Sequence, residues 1–199
     1  MTLKNKKFCF IEITGSSQLP RYARPVQRAA IVCDAQGNVI DEYNETVRPK
    51  VRLGKGASDA IKKTNLDLIS YPEEKMVLPN FIDFVKEYNQ EGNLTIVTYG
   101  DYPLAVLTQR CHLFKIDGDI LDKHSIGALP TVNCHVDLIV PARKQNILGL
   151  AGLGKNGWSL SKVCKILGLD DSKAYDALGK AEIIKQLFFR LTPLLNSGK

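Results

Sequence analysis

Glu12 is the one acid in "KFCFIEIT", residues 7 to 14, a run whose Phe, Cys and Ile residues mark a central strand buried on both faces. A lone carboxylate there is costly unless it is paired or protonated, so Glu12 is the first position at which to look for chemistry. Asp176 and Lys180 lie four residues apart in "AYDALGKAEIIKQLF". By spacing alone they make an exposed helical ion pair worth about 0.3 kcal/mol. "GLAGLGK", Gly149 to Lys155, fits the spacing of a phosphate-cradling loop. Asn156 follows where a metal-binding Ser or Thr would stand, and no strand leads directly into the segment, so it reads as a flexible glycine-rich connection. His112, His124 and His135 have no paired ligand spacing and read as ordinary core or surface histidines.

The elements that must position these residues follow from periodicity. After the first strand, Ser16 to Gln27 has two prolines and polar spacing and reads as a loop. "RAAIVCD" and "VIDEYNETVRP" flank "AQGN" and form a hairpin. The basic, glycine-rich stretch from Lys50 to Ser58 leads into a short helix or turn through Asn65. Pro72 and Pro79 bracket a connection, and "NFIDFVKEY" is a helix capped by Asn80. "LTIVTYG" is a strand, "PLAVLTQRCHLF" a helix opened by proline, and "HVDLIV", His135 to Val140, another strand. "GWSLSKVCKILGL" is a helix stopped by Gly168, and a last helix buries Ala177, Ala181, Ile184, Phe188 and Leu191. Strand, hairpin and then alternating helices and strands predict an α/β domain with a mixed sheet.

With 199 residues and 44% hydrophobic content, one domain spanning 1–199 is expected, with its core at about 7–191. The net charge of +6 permits phosphate-rich partners without requiring them. "RYARP" and "RPKVRLGKG" supply Arg21, Arg24 and Lys55 as candidate phosphate contacts, with a solvated basic face as the plainer alternative. Five cysteines without a CxxC pair read as buried free thiols of a reducing compartment. No leader-like apolar stretch follows the basic N-terminus and nowhere do 18 apolar residues run together, so a cytoplasmic protein without a membrane span is expected.

Taken in order, "CFIEITG", "VRPK", "IVTYGDYPLAVLTQRC", "VDLIVPARK", "WSLSKVCKILGL" and "AYDALGKAEIIKQLF" make the chain resemble the DEDDh 3′ to 5′ exonucleases. Within them it is most similar to the Eri-type branch, which includes histone-mRNA 3′ exonuclease and the KapD-like proteins. The resemblance implies a ribonuclease-H-like fold: a five-stranded mixed sheet flanked by helices, its second strand antiparallel, with Glu12 facing the closing helix. It also implies four carboxylates holding two Mg²⁺ or Mn²⁺ ions, and a histidine as general base. Of the positions that carry those groups, Glu12 matches, while Phe10, Pro103, Tyr175 and Lys180 do not, and Tyr102 stands where the second motif has tryptophan. Thr14 and Gly15 follow the first motif as its nucleic-acid-contacting pair would.

Three functions are consistent with that pattern. The first is a pseudo-exonuclease that binds single-stranded RNA, another nucleic acid or a protein partner without hydrolysis, and needs no metal. The second is an active exoribonuclease with Mg²⁺ or Mn²⁺ in a site rearranged onto Glu12, Asp101 and Asp176. The third is a structural subunit, alone as a homo-oligomer or in a larger complex. Lys180 is expected either to pair with Glu12 in place of the metal charge or to point outward toward Asp176.

Overall fold

The computed structural model describes residues 6–17, 19–90, 92–118, 121 and 159–196. Four strands form one sheet in the order β3-β2-β1-β4: β1 (Lys7–Gly15), β2 (Pro25–Cys33), β3 (Val39–Thr46) and β4 (Leu94–Val97). β2 runs antiparallel to β1, as expected, and β4 runs parallel to it. The sheet is therefore mixed, with four strands among the described residues rather than five. The fifth expected strand, His135 to Val140, lies outside the described residues, as does the Gly149 to Lys155 segment.

Among the described residues five α-helices accompany the sheet: α1 (Lys55–Ile61), α2 (Glu74–Tyr88), α3 (Tyr102–Phe114), α4 (Leu160–Leu167) and α5 (Ala177–Asn196). Strand alternation sorts β1 between two cores. Cys9, Ile11 and Ile13 pack with α2 and α3, through residues such as Phe81, Ile82, Leu104 and Leu107. Phe8 and Phe10 face the other way, against Ala177, Ala181, Ile184 and Phe188 of α5. Both faces of β1 and β2 are thus covered, which explains why their sequences are almost continuously apolar. β3 is the exposed edge, and Asp41, Glu42 and Glu45 along it discourage strand-to-strand association. Its hairpin closes through Asp34, whose carboxylate accepts hydrogen bonds from the backbone of Gln36 and Asn38, with Gly37 at φ +87°.

Two local expectations are corrected. The segment Ser16 to Gln27 is not all loop: Pro20–Tyr22 make a 3-10 turn and β2 begins at Pro25, where a strand's first position tolerates a missing N–H. Helix α2 begins at Glu74 rather than after Asn80, so Pro79 sits inside it. A buried face of Leu78, Phe81, Ile82 and Val85, each worth about 2 kcal/mol in removed apolar surface, outweighs the helical hydrogen bond that Pro79 cannot donate. The four cysteines among the described residues are buried and free, as expected. No described helix is long and apolar enough to cross a membrane.

Candidate functional site

Because β1 and β4 are parallel, their C-terminal ends open on the same edge of the sheet, and the turn after β4 brings the start of α3 across it. Gly100 makes that turn at φ +90°, a conformation that side chains rarely adopt. Tyr102 consequently lies over the end of β1. Its hydroxyl donates to the Ser17 carbonyl at 2.6 Å, and a Cβ placed on Gly15 would come 2.7 Å from the Tyr102 hydroxyl oxygen. A side chain at position 15 would therefore push the Tyr102 hydroxyl out of its place.

Glu12 continues the Phe8 and Phe10 side of β1, so it faces α5, as the sequence led one to expect. Burial pushes its carboxyl up to about 7, against an opposing pull from the Lys180 ammonium. The hydroxyl of Tyr102 is pushed up to about 12 by burial and by the proximity of Glu12. Lys180 Nζ lies 3.5 Å from Thr14 Oγ1. Glu12, Thr14, Tyr102 and Lys180 therefore converge from β1, α3 and α5 on one partly buried edge.

The pairing of Lys180 differs from both alternatives drawn from sequence. No Glu12 to Lys180 ion pair of 4.0 Å or less is found among the described residues, so the attraction acts across a gap, with Thr14 as the nearer partner. Asp176 does not take Lys180 either. Its Oδ1 accepts the backbone N–H of Gly179 at 2.7 Å, capping α5 and fixing where the helix starts.

The other motif positions have separate surroundings. Phe10 is fully buried, its ring 5.5 Å from that of Phe188 and 6.0 Å from that of Phe189. Pro103 is buried in the first turn of α3. Tyr175 is exposed, with Lys62 Nζ 4.1 Å above its ring, so the histidine position carries a cation–π contact to the end of α1. Asp101 precedes α3 on the surface. Among the described residues no three His, Cys, Asp or Glu side chains come together as a metal-holding group. Of the proposed phosphate contacts, Thr14 and Gly15 belong to this edge. Arg21 stacks on Tyr22 in the 3-10 turn, Lys55 opens α1, and Arg24 lines a separate basic cavity with Arg48 and Lys75.

Sequence reasoning missed a buried charge quartet on the α2 and α3 side of the sheet. Arg28 lies fully buried on β2, with Nε 3.5 Å from Glu45 on β3 and Nη2 3.9 Å from Glu74 on α2. Arg110 of α3 holds Glu74 at 2.6 Å. With Ser16 to Gln27 read as a loop, Arg28 stood at the head of its strand, and only the start of β2 at Pro25 places it inside the sheet.

Gly179 carries a structural constraint beside Lys180. A Cβ there would overlap the Lys173 carbonyl, so Gly179→Ala must displace the start of α5. The expected cost is about 2 kcal/mol, a fall in Tm of about 5 °C by thermal denaturation. Gly56→Ala, with nothing near its added methyl, is the control and should be neutral or slightly stabilising. Equal Tm values for the two variants would contradict this packing.

The architecture is that of solved exonucleases. The zinc-bound E. coli exonuclease I–ssDNA complex superposes with a TM-score of 0.73 at 19% identity, over 96% of this chain and 42% of that one. Exonuclease I from Methylocaldum szegediense gives 0.73 at 17% identity, over 96% and 42%. A full-length 3′-exonuclease gives 0.71 at 16% identity, over 97% and 61%. The chain thus spans less than two thirds of each of these structures, and at such identity the likeness is one of fold. No protein-family model and no curated protein matches the chain.

Proposed function

We propose that this is a nucleic-acid-binding protein on the exonuclease fold that holds a single strand without hydrolysing it, as an Eri-type or KapD-like pseudo-exonuclease of the cytoplasm. The observation that carries the reading is the Lys180 ammonium beside Thr14 and facing Glu12. A cation at that place attracts a phosphate oxygen, and Thr14 and the Gly15 backbone flank it on the same edge. Solved exonuclease I is described in complex with ssDNA, which supports a single strand as the ligand.

The two divalent ions implied by the exonuclease resemblance do not fit these side chains. Mg²⁺ and Mn²⁺ require several hard oxygen ligands. Phe10 supplies a packed ring, Pro103 no donor, and Lys180 a repelling charge, leaving Glu12 as the single matching carboxylate. Asp176, one of the acids available to a rearranged site, already accepts the capping bond from Gly179.

Labelled single-stranded RNA and DNA, titrated by fluorescence anisotropy in EDTA and over a salt series, test the reading. Binding without metal is expected, weakening as salt rises. Lys180→Ala should weaken it about tenfold and reduce the salt slope by about 0.7, the share of one phosphate contact on a single strand. Calorimetry with Mn²⁺ on the same protein should show no tight site, and the 3′ end should stay intact. Glu12-dependent Mn²⁺ binding with 3′ shortening would replace the proposal with an active exonuclease. Absence of binding to either nucleic acid would leave a structural subunit.

A further inference from the structure

A second surface lies away from the Glu12 edge, where the chain leaves β3. The segment from Arg48 to Arg52 and the turn at 65–69 enclose a groove of about 310 Å³. Its rim carries Arg48, Lys50 and Arg52, and its walls include Val51, Leu66 and Ile69. These three aliphatic side chains are 44%, 78% and 57% exposed. The groove is preformed, because Asn65 ties the two walls together: its Oδ1 accepts the Leu53 N–H at 2.8 Å and its Nδ2 donates to the Leu53 carbonyl at 3.1 Å.

Beside the groove lies a narrow cavity of about 10 Å³, room for about one water-sized atom, with Arg48, Pro49 and Lys50 as shared lining. Arg48 and Lys50 border both spaces, and Arg24, Lys75 and Arg110 complete the cationic wall of the cavity. Among the described residues, two carboxylates answer these six cations. Glu73 is shared by Arg48 at 3.0 Å and Lys50 at 3.9 Å, and Glu74 is engaged by Arg110 and approached by buried Arg28. The surface is positive in excess and apolar at once.

We propose that this groove docks an acidic peptide segment carrying aliphatic side chains. Carboxylates of the segment would meet Arg48, Lys50 and Arg52, and its apolar side chains would cover Leu66 and Ile69. Charge complementarity selects this occupant. A nucleic-acid strand would satisfy the cations, but the groove has no aromatic side chain for a base to stack on, and its aliphatic walls would stay wet. A second copy would set the same cations against themselves. The inference stands independently of what the Glu12 edge does.

The full chain titrated with a fluorescein-labelled peptide of alternating aspartate and leucine tests it. Two probes of equal charge serve as comparisons, an aspartate–serine peptide and oligothymidylate. The aspartate–leucine peptide is expected to bind at least about tenfold tighter than aspartate–serine. Lys50→Glu with Arg52→Glu should weaken it at least about tenfold, Ile69→Ser should remove most of the leucine preference, and Lys180→Ala should leave it unchanged. All of these positions are at least partly exposed, so circular dichroism should show the fold intact. Equal affinity for the two peptides, or no peptide binding, overturns the proposal. So does oligothymidylate binding that alone is lost on charge reversal, or dimerisation in sedimentation that Ile69→Ser abolishes.

Discussion

Glu74→Ala should be the most damaging single substitution among the buried charges, lowering stability by about 4 kcal/mol and Tm by about 10 °C. Glu74 is the hinge of the quartet: Arg110 donates to it through Nε at 2.9 Å and Nη2 at 2.6 Å, and Arg28 lies 3.9 Å away. Removing it leaves Arg28 with Glu45 alone and Arg110 with no carboxylate partner among the described residues. Burial already pushes the Arg28 guanidinium below its ordinary value, with Glu74 the larger of the two carboxylate influences that oppose this, so the loss falls where compensation is weakest. Arg28→Met should cost clearly less. None of the three Arg28 side-chain nitrogens makes a hydrogen bond, and after the change Glu74 keeps Arg110. An unbranched apolar side chain can then fill the space, and the one carboxylate that loses its cation, Glu45, lies on the edge strand β3, where water reaches it more readily than it reaches Glu74. Chemical denaturation of both variants checks the order. A smaller loss in Glu74→Ala than in Arg28→Met would mean that the quartet is held together by packing rather than by charge balance.

That quartet shows where sequence reasoning stops. Its members come from positions 28, 45, 74 and 110, and nothing local to any one of them announces the other three. The antiparallel β1–β2 pair and the covering of the Glu12 face by the last helix were legible only through the exonuclease resemblance, while the burial of β1 on both faces and the apolar stripe of that helix were legible from periodicity within single segments. The start of α2 was not. Pro79 is a local breaking signal, and only tertiary burial of Leu78, Phe81 and Ile82 overrides it. The same contrast holds at the candidate site. Lys180 was singled out by its place in a motif, but whether it would meet Glu12, Asp176 or neither depends on α5 being started by the Asp176 cap and the close passage of Gly179 under Lys173. That start sets Lys180 against Thr14.

Glu12→Gln should stabilise the protein at pH 8 and do little at pH 4. Glu12 is pushed up to about 7 from an ordinary 4.5, so the folded state holds this proton more tightly than the unfolded chain does. The contribution of the group to stability is therefore complete below about pH 4.5, declines as pH rises through 7, and above that leaves an ionised carboxylate in a poorly solvated edge. The gap corresponds to about 3 kcal/mol as an upper figure, which a neutral isostere would recover at high pH. Other carboxylates titrate alike in both proteins and cancel in the comparison. Lys180 opposes the shift, so Lys180→Met should do the reverse, destabilising above pH 7 and losing its effect below pH 4.5. In a Glu12→Gln background the Lys180→Met cost should shrink, and the difference between the two backgrounds measures the attraction across the gap. Tm profiles of the four proteins from pH 4 to 9 decide it. If Glu12→Gln gains nothing at pH 8 while Lys180→Met still costs stability there, Lys180 acts through Thr14 alone, and its ammonium does not offset an ionised Glu12.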